Sequence, residues 1–124
     1  MEFDLQNSLP IWKQLASRLK ERIVTGEYPA GSRFPTVREL AAEAGVNPNT
    51  MQRALAQLEA EGLLITNRTA GRTVTDDAGI LQHTRHELAD ARTAAYLKDM
   101  ASLGYDIREI RSFFAETDPE SGRN

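Results

Sequence analysis

Between Ala44 and Leu58 the chain carries no acidic residue, yet it sets Asn47, Asn49, Thr50, Gln52 and Arg53 within seven positions. Side chains of these types suit the edges of nucleic-acid bases. A carboxamide can bond adenine at two points and a guanidinium can do so with guanine, across a major groove about 12 Å wide that admits a helix. Asn47 stands where a helix can begin, with Pro48 in its first position. Free backbone N–H groups at such a start also favour phosphate. Asn, Thr and Gln serve equally to cap and solvate an exposed helix start; their clustering in an acid-free stretch is what favours base readout.

Three more arginines join this set. Gly62–Thr75 also lacks acid and holds Arg68 and Arg72, which border a predicted hairpin tip and either reach a DNA backbone or stay solvated. Arg38 lies early on a predicted helix, open to phosphate or guanine contact or to a salt bridge with Glu39 or Glu43. His83, His86, Glu87 and Asp90 have helical spacings that can gather metal ligands, but two ligands from one helix rarely close a site. They are read as a solvated polar face, and no metal or cofactor is expected. With no cysteine, no Gly-rich phosphate loop and no Ser/His/Asp set in suitable context, an enzyme is not expected.

The elements that must position these residues follow from periodicity and punctuation. Ile11, Leu15, Leu19 and Ile23 form one stripe on a helix of about four turns that starts after Pro10 and ends at Gly26. Thr36-Val37-Arg38-Glu39 matches a capping box, in which hydroxyl and carboxylate each satisfy a free N–H of the first turn. Val37, Leu40, Ala41 and Ala44 give the second helix its inner face, and Gly45 stops it. The third helix runs from Asn47 to about Glu61, with Val46, Met51, Leu55 and Leu58 inward. Its tight Gly45-Val46-Asn47 link to the second is a helix-turn-helix signature. Leu63–Thr66 and Arg72–Thr75, flanking Asn67–Gly71, read as a β-hairpin. A long helix follows from about Ala78 to Leu103, then a short one carrying Ile107, Ile110, Phe113 and Phe114 behind an Asp106/Glu109 capping box.

The totals agree with a small regulator. The 124 residues carry a net charge of −3, with nine Lys/Arg against eight Asp/Glu in residues 1–75 and six against ten thereafter. That balance argues against coating nucleic acid by bulk attraction and allows a local reading surface. No apolar run approaches the ~20 residues that span a bilayer, and Met1-Glu2-Phe3-Asp4 lacks the basic start of a secretion signal. No membrane association is expected, and the setting is expected to be cytoplasmic.

The chain resembles the gluconate-repressor (GntR) family of bacterial regulators. The resemblance rests on Pro10–Leu15, Gly26–Gly31, Phe34–Ala41, Val46–Leu55 and Leu58–Leu63, and covers nearly all of residues 10–75 in register. The Asn-Pro-Asn-Thr variant, followed by only some fifty residues, is similar to the YtrA subfamily, whose members carry a two-helix dimerisation piece instead of a large effector domain. The resemblance implies that Arg38, Asn47, Asn49, Thr50, Gln52 and Arg68 fall at DNA-contacting positions. It also suggests a target operon that often encodes an ABC transporter. Pro48 departs from the pattern, standing where many relatives have a base-contacting Arg, and Thr69-Ala70-Gly71-Arg72 replaces the commoner Gly-x-Gly wing tip.

The expectation is a mainly α fold with a small β-hairpin: a winged helix-turn-helix over residues 1–76, a two-helix dimerisation segment over 77–116 and a disordered tail over 117–124. Leu88, Leu97, Met100, Leu103, Ile110, Phe113 and Phe114 need a partner surface, supplied partly by the first helix and partly by a second chain. A two-fold homodimer presents recognition helices about 34 Å apart, one DNA turn. The expected function is a double-stranded-DNA-binding transcription regulator, a repressor reading an inverted repeat, with its effector left open. A winged helix used for protein contact or RNA keeps the fold without duplex readout.

Overall fold

The computed structural model describes residue 3 and residues 9–117. Apart from Phe3, Leu9 and Thr117, the expected loose arm and disordered tail lie outside the described residues. The element order is α1 (Ile11–Val24), α2 (Val37–Ala44), α3 (Pro48–Ala60), β1 (Leu64–Asn67), β2 (Gly71–Val74), α4 (Ala78–Ser102) and α5 (Ile107–Thr117). This is the winged helix-turn-helix followed by two helices. The described residues form two compact units divided inside α4, one ending at His86 and the other starting at Glu87. The start of α4 belongs to the first because Ile80 and Leu81 pack on its core.

That core is the meeting of α1, α2, α3 and the foot of the hairpin. Leu15, Leu19, Met51, Ala54, Leu55, Leu58 and Leu63 are each 0% exposed, and burial of a large apolar side chain contributes about 1.5–3 kcal/mol. Ile11, placed on the α1 stripe by its spacing, is instead 48% exposed.

Local chemistry sets the α2–α3 corner. The Thr36 hydroxyl accepts the Glu39 N–H at 3.1 Å. The expected reciprocal bond does not form, since the Glu39 carboxylate takes the Thr36 hydroxyl instead. At the other end Gly45 has φ +69°, and the Gly45 and Val46 N–H groups both return to the Ala41 carbonyl, a left-handed stop that an L side chain disfavours. The turn leads directly to Asn47, whose carbonyl receives the Thr50 and Met51 N–H groups.

The hairpin has its expected register and closes one pair further toward its tip. Leu64 faces Val74, Ile65 faces Thr73, Thr66 faces Arg72 and Asn67 faces Gly71, so the link shortens to Arg68-Thr69-Ala70. Gly71, at φ +73°, supplies the unusual angle that a three-residue link needs. The segment before α2 adds a third short extended piece. Phe34 donates its N–H to the Arg72 carbonyl at 2.8 Å, and Gly31 donates to Val74 at 2.9 Å.

One buried cation ties these parts together. The Arg22 side chain is 2% exposed near the end of α1, where it donates to Glu43 of α2 at 2.6 Å and to the Tyr28 hydroxyl at 2.7 Å. Glu27 lies 3.3 Å away and the Phe3 ring 4.4 Å from the guanidinium. Burial alone lowers the guanidinium's pKa, but the bonds to Glu43 and Tyr28 outweigh it and raise it.

In the second unit, α5 opens with a complete capping box. The Glu109 N–H donates to Asp106 at 2.9 Å and the Asp106 N–H to Glu109 at 3.1 Å. Tyr105 meets Phe113 edge-on with centroids 5.3 Å apart, and Tyr96 lies 6.0 Å from Phe114. Among the described residues no helix is long and apolar enough to cross a membrane.

Removing Glu43 leaves a buried cation short of a partner, so Glu43→Ala is expected to destabilise the protein by about 1–3 kcal/mol. Urea unfolding followed by circular dichroism measures it; an unchanged midpoint means Tyr28 and Glu27 satisfy Arg22 unaided.

Candidate nucleic-acid interface

The apolar side of α3 fixes what its other side can do. Met51, Ala54, Leu55 and Leu58 are sealed in the core, and Asn49, Gln52, Arg53 and Ala56, spaced by three and four residues, are exposed on the opposite face. Among the described residues the carboxamides of Asn49 and Gln52 have no protein partner. Four hydrogen-bonding groups on each are therefore left for a ligand.

Asn47 does different work. Its carboxamide oxygen accepts the Asn49 N–H at 2.7 Å, capping α3, which leaves its NH2 group outward. Thr50 is half-buried beside it. Arg38 is exposed on the first turn of α2, and among the described residues it forms no salt bridge with Glu39 or Glu43; Glu43 is engaged by Arg22 instead. An open groove between the two helices is lined by Arg38, Ala42, Gly45 and Pro48.

The two hairpin arginines have opposite fates. Arg68 sits exposed in the three-residue tip. Arg72, expected beside that tip, lies within β2 opposite Thr66, half-buried, and is ion-paired to Glu59 on α3. Glu59 also accepts the Thr66 hydroxyl at 3.0 Å, so one carboxylate holds both strands against α3. The bond from Arg72 lowers the Glu59 pKa, outweighing burial, which raises it. Arg53 is likewise engaged, its guanidinium 4.5 Å above the Trp12 ring of α1.

Arg33 was not singled out by sequence reasoning. It is exposed on the added extended piece, opposite Thr73, and nothing in its composition or spacing distinguishes it from a loop charge until that pairing is seen. Among the described residues no three His, Cys, Asp or Glu side chains gather as metal ligands. His83, His86, Glu87 and Asp90 each have protein partners.

In the second unit Leu88, Leu97, Met100 and Phe113 are half-buried, whereas Leu103 is 69% and Phe114 55% exposed. Ile110 is 3% exposed, already covered within one chain and so not left for a partner.

Comparison with known proteins agrees with this arrangement. Residues 12–74 match the family described as bacterial regulatory proteins, gntR family. The chain is 33% identical over 110 residues to the HTH-type transcriptional regulator YhcF of Bacillus subtilis (strain 168), covering 89% of this chain and 91% of that protein. It is 36% identical over 78 residues to the HTH-type transcriptional repressor YtrA of the same organism, covering 63% and 60% of the two chains. A GntR family transcriptional regulator from Listeria monocytogenes has a similar structure, with a TM-score of 0.81 and 34% identity over 91% of this chain and 99% of that one.

The Glu59 tie carries a pH signature. A depressed carboxyl pKa stabilises the fold above the usual carboxylate range, and the benefit disappears as pH falls through the folded value. Glu59→Gln is expected to cost about 0.5–1 kcal/mol at neutral pH, a modest figure because the pair is partly solvated. Urea melts should show this penalty shrinking in acid; a penalty independent of pH contradicts the assignment.

Proposed function

The chain belongs to the gntR family of bacterial regulatory proteins, among its YtrA-type members, and from that premise we propose that it is a homodimeric repressor that reads an inverted-repeat operator in double-stranded DNA. The observation that carries the reading is the exposed Asn49/Gln52 face of α3, with its carboxamides unpartnered, backed by a core with no solvent exposure. A face so supported enters a major groove without its side chains first leaving protein partners.

Within this reading Asn49 and Gln52 contact base edges, Asn47 and Thr50 the backbone at the start of α3, and Arg38, Arg53 and Arg68 phosphate. Arg72 contributes by holding the wing through Glu59. Bound across a promoter, such a dimer excludes polymerase sterically. Family likeness favours an operon encoding an ABC transporter as its target, in the bacterial cytoplasm where the DNA is.

Residues 77–116 serve as the dimerisation segment under this proposal. The second unit presents Leu103, Ile107 and Phe114 at 69%, 52% and 55% exposure, with Tyr96 and Tyr105 at 37% each. A piece this small cannot enclose a sufficient core alone, and a two-fold copy offers a self-complementary cover.

Selection of duplexes from a random pool tests the DNA reading. A palindromic consensus is expected. Gln52→Ala should cost about 1–3 kcal/mol on the preferred duplex and relax selectivity at the contacted base, whereas Arg68→Ala should weaken all duplexes alike and reduce the salt slope by about one. No enrichment, or equal binding of single-stranded RNA, contradicts it. Light scattering at micromolar concentration tests the assembly: a dimer is expected for the unaltered chain and a monomer for Phe114→Glu. A monomer in both cases removes the dimer.

A further inference from the structure

Arg53 is an exposed cation that reaches sideways to another helix. Its guanidinium lies over the half-buried indole of Trp12, 4.5 Å from the ring centroid. Trp12 belongs to α1, which packs on α3. Lys13 brings a second cation to 5.7 Å from the same ring. In the adjoining groove between α1 and α3 the carboxylate of Glu61 is already occupied, by Lys20 at 2.7 Å and by the Gln57 amide at 2.7 Å.

The kind of partner matters here. A salt bridge consumes the donors of a guanidinium and cancels its charge. An aromatic face does neither: it attracts the cation through the ring quadrupole while the five N–H donors at the guanidinium's edge stay available to an anion. Among the described residues Arg53 forms no ion pair, whereas Arg72, on β2, is bound to Glu59. Arg53 is thus held in direction and left unneutralised.

We propose that Trp12 is a positioning residue that holds Arg53 ready for a phosphodiester of the backbone flanking the groove entered by α3. This rests on the duplex-binding reading above and extends it to α1. The contact carries no sequence information in itself; it sets register, and a preset arginine loses less freedom on binding than a mobile one.

The test is a double-mutant cycle on the full chain, using a duplex selected by the unaltered protein and a scrambled duplex, each over a series of salt concentrations. Arg53→Ala is expected to raise Kd about tenfold on both duplexes and to reduce the salt slope by about one. Trp12→Ala should raise Kd about three- to tenfold with the slope retained, since the cation remains but must be ordered on binding. Trp12→Phe, which keeps an aromatic face, should restore most of that loss. The variant lacking both side chains should bind no more weakly than Arg53→Ala alone. Because Trp12 is the sole tryptophan, its emission should also change when the duplex binds. Additive losses, an unchanged salt slope in Arg53→Ala, or Trp12→Phe as weak as Trp12→Ala would each overturn the positioning role while leaving duplex binding intact. If the unaltered protein binds no duplex, both this proposal and the reading beneath it fall.

Discussion

Met51, Ala54, Leu55 and Leu58 are shut away from solvent on one side of α3, and that burial decides the rotation of the helix. A helix pinned by four core residues over two turns cannot turn about its axis without withdrawing them, at a cost of several kcal/mol. Asn49 and Gln52 are therefore outward by necessity, and their carboxamides stay free because no neighbouring element reaches them. The Gly45 turn and the Asn47 cap set where this helix begins. They do so through backbone bonds, so the side chains beyond them remain for other uses.

Around α3 the charged residues divide by what holds them. Arg22 is a buried strut between α1, the Tyr28 loop and α2. Arg72 is a clasp between the wing and α3 through Glu59. Both are ion-paired with carboxylates, and neither has its charge to spare. Arg38 and Arg68 are exposed at the rim of the proposed reading surface, and Arg53 is steered by an aromatic ring. An overall charge of −3 is compatible with DNA binding on these terms, since Glu43, Glu59 and Glu61 are already committed to structural cations.

Much of this was legible in the residues. The stripe Leu15, Leu19, Ile23 and the punctuation at Pro10, Gly26, Thr36, Gly45, Pro48 and Gly62 place α1 to α3 closely, because caps and glycine stops act locally. The exposure of Asn49 and Gln52 follows from helical spacing against Met51 and Leu55. What needed coordinates was long-range or ambiguous locally. Arg22 lies three residues after Leu19 and one before Ile23, on the buried side of α1. That position was a signal of burial, but its partners come from α2 and a loop. The hairpin kept its expected register, but its strands reach one pair nearer the tip, because Gly71 takes the positive φ that a three-residue link needs. Arg72, read as bordering the tip, stands one pair inside it, and its ion pair with Glu59 of α3 could not be read from the hairpin alone. Ile110 gave no sign of being covered within its own chain, since the spacing of α5 does not distinguish an internal contact from an external one.

The account stands on the polar face of α3 lying against base edges. Nuclear magnetic resonance of labelled protein bound to its selected duplex reads this directly, through contacts between side-chain amide protons and DNA. The expected result is a set of close contacts from the Asn49 and Gln52 amides to major-groove protons, with Leu55 and Leu58 signals little changed. Contacts confined to the minor groove or to the helices after residue 87, with the Asn49 and Gln52 amides unaffected, would contradict it.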